Sequence, residues 1–426
     1  MNPEGLLDAL AVLPGGPELL QLGQEREDLA VVGGAVRDLL LGAAPRELDV
    51  VVADDAAAFA GALAVSLAAA AGDSIAQPSA TLHERFGTAI VEWQSGRVDV
   101  AQRRTESYGA PGALPDVRPG TSDEDLRRRD FTVNAIAVPL GGPRLGELIS
   151  VEHALEDLEA GRLRVLHERS FIDDPTRLLR LARYSARLRF AASERTAELA
   201  AEALAAGALA SVSGARIGTE LRLALAEQDA VGALASLSSL GVLDALHGSL
   251  DFDERLARNA LALLPEDGRP DLLLMASLLL APAGDRERDR GSASFELLAD
   301  LQFAAAERER IIRSAQVAPS LASELALPLR PSELHEALSS HPLEAVALGG
   351  ALAEPRASGG ADDAARWLQR LRHVRLAITG DDLIAAGVPA GPQIGERLAL
   401  ALARKLDGEL DDGRLPELRA ALEPSG

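Results

Sequence analysis

Apolar and polar positions follow two different rhythms along the chain. In the first third, short apolar runs are punctuated by glycine, proline and aspartate, the mark of buried strands alternating with helices. Leu29–Val32 predicts a strand, Gly33-Gly34 a tight turn, and Ala35–Leu41 a helix stopped by Gly42. Leu48–Val52 predicts a second strand, and Asp54-Asp55 caps a helix over Ala56–Ala71. Ser74–Gln77, Phe86–Trp93 and Arg97–Gln102 predict further strands, the last two joined by a turn at Ser95-Gly96. Ahead of these, Leu6–Leu13 predicts a short helical lead-in before Pro14-Gly15-Gly16-Pro17.

From Ser150 onward the strand pattern nearly vanishes. Apolar residues recur at helical spacing through Leu178–Leu188, Thr196–Ala206, Ile217–Ala226 and Val231–Leu240. Breaks fall at Pro265, Pro270, Pro282-Ala283-Gly284 and Pro328/Pro331, and the Gly/Ala-rich Pro355–Asp362 predicts a loop. The helices are not an exact repeat, so a solenoid is not predicted. The fold class expected is α+β: a small α/β head followed by an elongated all-helical neck, body and tail. The expected divisions are residues 25–149, 150–228, 229–330 and 331–426.

Composition sharpens this picture. Aromatic residues are only 3% of the 426, so the cores must be built from Leu, Ala and Val. The absence of cysteine removes disulfides, thiolate zinc sites, iron–sulfur clusters and cysteine nucleophiles together. A bound metal would therefore be a hard cation held by carboxylates. No apolar run is long enough for a transmembrane helix, and the first residues lack the basic start of a signal peptide, so a cytoplasmic location is expected. The formal charge of −22 argues against a protein that coats nucleic acid generally. Yet Gly161–Phe190 carries eight arginines against Glu168, Asp173 and Asp174, a local basic stripe able to meet phosphate or to serve as a solvated helix face.

Three constellations carry candidate chemistry. The first is Val31-Val32-Gly33-Gly34-Ala35-Val36-Arg37-Asp38, followed by Glu47-Leu48-Asp49. A Gly-Gly turn between strand and helix lets a phosphate approach backbone N–H groups, and Arg37 one turn on can add a charge-assisted contact. Glu47 and Asp49, two apart on a strand, share a face, a spacing suited to metal ions, and Asp99 on a later strand can bring a third carboxylate. Each piece alone reads as a turn or a solvated strand edge; it is the combination that points to chemistry. The second is Asp125-Leu126-Arg127-Arg128-Arg129-Asp130-Phe131-Thr132-Val133-Asn134-Ala135-Ile136-Ala137. The third is Asp173-Asp174-Pro175-Thr176-Arg177, with Arg180 and Arg183 following at steps of three. By itself that third run is a capped amphipathic helix.

Together these runs resemble the class II tRNA nucleotidyltransferase and bacterial poly(A) polymerase family of the DNA polymerase β superfamily. Gly33, Gly34, Val36, Arg37, Asp38 and Asp49 match its Gly-Gly-x-Val-Arg-Asp and Asp-x-Asp pattern; Glu47 departs from it, since the family has Asp there. The second constellation resembles the family's Arg-Arg-Asp-Phe-Thr-x-Asn-Ala motif. The resemblance implies that Arg129 contacts the nucleotide and that Asp130 and Asn134 shape the sugar and base pocket. The third resembles Glu-Asp-x-x-Arg, with Asp173 in place of Glu. It implies that Asp174 and Arg177 read the base edge as a protein template, and that Arg180 and Arg183 face the triphosphate. Arg104–Tyr108 with Pro111–Pro115 resembles the family's flexible loop, and Ile378–Leu383 with Gly391–Gly395 resembles its tail. The usual Asp-Pro-x-x-Gly after the head is replaced by Val151–Leu155.

What the resemblance implies is an enzyme that extends the 3′ end of tRNA from ATP and CTP with Mg2+, releasing pyrophosphate. Glu47, Asp49 and Asp99 would be its catalytic carboxylates and Glu47 and Asp49 its metal ligands. CCA addition is the leading expectation, with A-only addition close behind, because the Pro111–Pro115 and Leu166–Phe171 wording is closer to A-adding relatives. A poly(A) polymerase and a non-catalytic RNA-binding relative are the remaining alternatives. No membrane partner and no particular oligomeric state is implied.

Overall fold

The computed structural model describes residues 3–71, 77–83, 87–280, 287–353, 359–411 and 413–423. A mixed-sheet head is followed by a mostly helical remainder, as the two rhythms of the sequence predict. By contacts the chain separates into two units, Met1–Val212 and Ser213–Gly426. Among the described residues, no helix is long and apolar enough to cross a membrane.

In the first unit the elements run α1 (Pro3–Ala11), α2 (Gly16–Gln24), β1 (Ala30–Val32), α3 (Gly34–Leu40), β2 (Leu48–Val52), α4 (Ala56–Ala71), β3 (Ser79–His83), β4 (Thr88–Trp93) and β5 (Gly96–Gln102). They continue with β6 (Arg104–Ser107), β7 (Asp116–Pro119), α5 (Ser122–Arg127), β8 (Ile136–Pro139), β9 (Ile149–Ser150), α6 (Ala154–Glu159) and β10 (Arg162–Leu163). The unit ends with α7 (Ser170–Asp173), α8 (Thr176–Leu188), β11 (Ala191–Ala192) and α9 (Glu194–Ala205).

Seven strands form one sheet in the order β3-β4-β5-β2-β1-β8-β9. Its pairings are antiparallel except β2 with β5, where Asp49 stands directly opposite Asp99. β1 is buried along its whole length, as its unbroken apolar run requires. Beside it, β2 and β5 turn Leu48, Val50, Val98 and Val100 inward, which leaves Asp49 and Asp99 on the other face. α4 covers β4 and β5 with Phe59, Ala60, Leu63 and Leu67, a single stripe at helical spacing. Each large member of that stripe is worth about 1.5–3 kcal/mol of burial, so Leu63→Ala is the kind of change that would loosen the head.

The structure also departs from the predicted elements. α2 forms where only a proline-glycine break was expected, because Gly15 takes a left-handed φ of 81° and Pro17 suits the helix start. The expected strand Ser74–Gln77 falls mostly on residues outside the described ones (74–76), and the strand of this region is β3; Phe86 likewise lies outside. Arg104–Pro115 was expected as a loop, but Arg104–Ser107 pairs with Asp116–Pro119 as a two-stranded hairpin. β6 has no apolar alternation, so its sequence carries no strand signal. Glu47, expected on the strand, sits one residue before β2 begins.

The second unit is helical. Its core is built by α10 (Gly214–Leu225), α11 (Ala230–Ser239), α12 (Val242–Leu246), α13 (Glu254–Leu263), α14 (Pro270–Leu278), α15 (Glu287–Asp300), α16 (Ala305–Leu325), α17 (Pro331–Leu338), α18 (Leu343–Leu352) and α19 (Gly360–Gln369). Pro270 and Pro331 open helices, as the breaks there predict; Pro282-Ala283-Gly284 lies outside the described residues. Residues 355–358 of the expected loop are also outside, while Gly360–Asp362 form the first turn of α19 instead. α18 packs so closely that a side-chain carbon on Gly349 would meet Leu321 Cβ at 2.8 Å and one on Gly350 would meet Ala364 Cβ at 2.5 Å. Its fully buried Glu344 is satisfied by Nε and Nη2 of Arg310 (2.7 and 2.9 Å) and by the Arg269 backbone N–H (2.8 Å). The final helices, α20 (Gly380–Ala385), α21 (Pro392–Leu406) and α22 (Arg414–Leu422), enclose a small separate core of Ile378, Leu383, Val388, Ala401 and Ala421.

Candidate active site

The head brings Glu47, Asp49 and Asp99 together. One carboxylate oxygen from each lies within 4.8 Å of the others. The parallel pairing of β2 and β5 supplies two of them, and the bend before β2 supplies the third. The Asp49 carboxyl is pushed up to about 7, first by burial and then by the charge of Glu47, with Asp99 adding to this and Arg129 and Arg37 pulling the other way. Three acids held this close in the same place repel one another, and an all-oxygen donor set of this kind fits a hard divalent cation.

The glycine turn adjoins this cluster. Gly33 has φ 69° and ψ −131°, a combination open only to glycine, and a side-chain carbon there would meet Arg129 Nη1 at 2.5 Å. The turn therefore exists to let the Arg129 guanidinium lie against bare backbone. The N–H of Gly33 itself donates to Ile136 O at 2.9 Å, so this group is committed to the sheet rather than to a phosphate. Arg129 is oriented by Asp125, whose Oδ2 accepts from Nη2 at 3.0 Å, while the other oxygen accepts from Arg128 at 2.7 and 2.9 Å. Burial alone would push the Asp125 carboxyl up; the two arginines hold it below its ordinary value.

Arg37 differs from expectation. It is only 1% exposed, its Nε and Nη2 donate to Asp38 Oδ1 (2.8 and 2.6 Å), and its Nη1 donates to Asn134 Oδ1. It also lies 5.4 Å from the centre of the Tyr184 ring. A guanidinium so enclosed braces the turn. From it a chain of hydrogen bonds and ion pairs runs to α8. Asn134 Nδ2 donates to Asp130 Oδ1 (2.9 Å), Arg180 Nη1 donates to Asp130 Oδ2 (3.4 Å), and Arg187 Nη2 donates to Asp38 Oδ2 (2.8 Å). Burial works against the Asp130 charge, but Arg180, Asn134 and Arg177 outweigh it and hold the carboxyl low. Arg183, buried beside these groups, stacks on Tyr184 at 4.7 Å.

At the third constellation, Asp174 stands one residue before Pro175, the N-cap of α8, its Oδ1 accepting from the Thr176 N–H (3.1 Å) and hydroxyl (2.6 Å). Arg177 is buried, and donates from Nη1 to Ser170 Oγ (2.6 Å) and from Nη2 to Arg128 O (2.8 Å). Arg128 in turn donates to Glu106 Oε1 (3.0 Å), and Tyr108 donates to Glu106 Oε2 (3.1 Å). The β6–β7 hairpin is thus wired to Arg177 through Arg128. Its connecting turn also reaches the segment before Asp173, where the Gly112 N–H donates to Ile172 O at 3.2 Å.

Sequence reasoning missed several residues that position the site. Asp157 on α6 is fully buried and accepts from Thr132 Oγ1 (2.8 Å) and from both ends of the Arg164 fork (2.8 and 3.0 Å). It pins the segment carrying Asp130 and Asn134, yet in sequence it is only one acid among several in an amphipathic helix. Asp125, Glu106 and Arg97 were given no role of their own; only the partners they meet in space distinguish them from surface charges.

Comparison with known proteins bears on this arrangement. Residues 29–164 match the family model described as the poly A polymerase head domain. An A-adding tRNA nucleotidyltransferase of Geobacter sulfurreducens is 34% identical over 413 residues, 92% of this chain; the chain spans 45% of that relative's own length. A CC-adding tRNA nucleotidyltransferase of Deinococcus radiodurans is 34% identical over 87% of this chain and 83% of its own. The solved structure of the Thermotoga maritima CCA-adding enzyme complexed with tRNA superposes with a TM-score of 0.76 at 26% identity, over 99% of this chain and 98% of that one.

Proposed function

The chain belongs to the family of tRNA nucleotidyltransferases and poly(A) polymerases, and from that premise we propose that it extends the 3′ end of tRNA from CTP and ATP, building or completing the terminal CCA and releasing pyrophosphate. The observation that carries this reading is the convergence of Glu47, Asp49 and Asp99 within 4.8 Å beside the glycine turn that seats Arg129.

In this reading Glu47 and Asp49, with Asp99 beside them, would hold Mg2+. Held there, the ion would supply the positive charge that favours an ionised 3′-hydroxyl and offsets charge on the leaving phosphates. Arg129, set by Asp125 and admitted by Gly33, takes the nucleotide's phosphates in charge-assisted contacts, with Arg180 and Arg183 supplying further positive charge from α8. Arg37 acts one step removed: it fixes Asn134, and through it Asp130, at the sugar and base pocket. Asp174 and Arg177 select the base, Arg177 being aimed by Ser170 and the Arg128 carbonyl. We read residues 25–149 as the catalytic head, 150–228 as a neck carrying the base-selecting pair, 229–330 as a body and 331–426 as a tRNA-binding tail, and place the protein in the cytoplasm.

A-only addition is the second reading, favoured by the A-adding Geobacter relative. The test uses two tRNAs, one ending at the discriminator base and one ending in CC, each with labelled CTP and ATP. CCA on the first is expected. A single A on the second alone establishes A-only addition, long A tracts on any RNA establish a poly(A) polymerase, and no incorporation at all overturns the enzymatic reading.

A further inference from the structure

Arg97 stands at the carboxylate cluster without a part in the chemistry described so far. It precedes Asp99 by two residues on β5, so both side chains leave the same face of the sheet. Its guanidinium meets Asp99 as a fork, Nε to Oδ1 at 2.6 Å and Nη2 to Oδ2 at 2.8 Å. The same group lies 3.7 Å from Glu47 Oε2 and 3.7 Å from Glu92 Oε1. Among the described residues Asp49 has no hydrogen-bond or ion-pair partner, so the three acids are unequal: Asp99 is engaged, Glu47 is approached and Asp49 is left open.

Exposure decides what such a pair can do. The side chains of Arg97, Glu47 and Asp99 are 39%, 48% and 31% exposed. A fully buried pair would be locked, because parting it strands a charge away from water. A half-exposed pair is worth little to stability, and water can take over its partners when it opens. A divalent cation, with twice the charge and no side-chain entropy to lose, can compete for Asp99 on those terms.

We propose that Arg97 is the resident countercharge of this cluster and sets its affinity for a divalent cation, by keeping Asp99 in an ion pair that the cation must break. Arg97 is then a positioning residue: it steadies three close acids while the cation is away and sets the threshold for its entry. The proposal rests on the cation site read above.

The test is Mn2+ binding to the full chain, followed by the electron paramagnetic resonance signal of free Mn2+, together with melting temperatures. Arg97→Gln should tighten Mn2+ binding by about three- to fivefold, the upper end of the scale set by a partly exposed ion pair. It should also lower the melting temperature without metal, with recovery at saturating Mn2+. Arg97→Lys, which keeps the charge but loses the fork, should fall between it and the parent and serves if Arg97→Gln does not fold. In an Asp99→Asn background the effect of Arg97→Gln should shrink below about twofold, since coupled residues fail to add. Unchanged or weaker binding in Arg97→Gln overturns the proposal, as does tightening that persists without Asp99. Failure of the parent protein to bind Mn2+ would instead overturn the cation site itself.

Discussion

Asp125 Oδ2 accepts from Arg129 Nη2 at 3.0 Å, and this one bond aims the arginine that lies against Gly33. Asp125 is 1% exposed and also holds Arg128, so one carboxylate orients two successive arginines. Asp125→Ala should cost about 3–5 kcal/mol of stability, the usual cost of stranding one side of a buried ion pair. If the protein still folds, KM for ATP and CTP should rise by the same factor. Steady-state kinetics with each nucleotide check this; a rise for one nucleotide alone would mean that Asp125 acts on base choice.

Gly33→Ala should damage the same contact from the other side. The substitution forces a side chain into a left-handed backbone and against Arg129 Nη1. A loss of roughly 1–2 kcal/mol is expected from the backbone alone, with nucleotide affinity falling alongside it. Chemical denaturation and nucleotide titration read the two effects separately.

Asp49→Asn should abolish nucleotide addition without destabilising the fold. The Asp49 carboxyl is raised to about 7 by burial and by Glu47, so removing its charge relieves repulsion. The melting temperature without metal should hold or rise while labelled ATP incorporation disappears. Glu47→Asp, which restores the family residue, should keep or raise turnover; a collapse would mean that the cluster is built around the longer side chain.

Arg177→Ala should relax discrimination among the four nucleoside triphosphates by about 1–3 kcal/mol, the worth of a bidentate base contact. Ser170→Ala, which removes one of the two acceptors aiming Arg177, should relax it by less. The readout is kcat/KM for each nucleotide; an equal loss for all four would reduce the pair to a helix cap and its neighbour.

Asp28 supplies a pH prediction. Its carboxyl is lowered to about 2, first by the Arg26 fork, with burial opposing and the Ala53 N–H assisting. A carboxylate held low stabilises the fold above its unfolded value of about 4, and that stability is lost as pH falls from there toward 2. Asp28→Asn should therefore flatten the acid limb of a stability–pH curve between about pH 4 and pH 2 and leave the curve's shape near pH 7 unchanged.

Where burial and local signals agreed, the sequence was fully legible. β2 and α4 occupy Leu48–Val52 and Ala56–Ala71 as predicted, because a strand apolar at every position but Asp49 and an acid-capped alanine helix have few other ways to fold. β6 was illegible because Arg-Thr-Glu-Ser pairs by backbone and by ion pairs to Arg128, neither of which leaves a hydrophobic pattern. The motifs named candidate site residues but not their depth: nothing local in Gly-Gly-Ala-Val-Arg-Asp says that Arg37 is enclosed by Asp38, Asn134 and Tyr184. Asp157 shows the same gap, since its partners lie 25 residues before it and 7 after.

The parallel pairing of β2 with β5 has a consequence for how the protein is made. Asp49 and Asp99 meet only across that pairing, with a helix and a hairpin between them in the chain. Two parallel neighbours cannot zip up locally, so the loop must close over its whole length before any contact rewards it. A nascent chain that has emerged only as far as β4 carries the glycine turn and Glu47 and Asp49, yet has no three-acid cluster. Assembly of the site and completion of the sheet's centre are the same event, and a chain with an unfinished sheet has no assembled cluster with which to take up a cation.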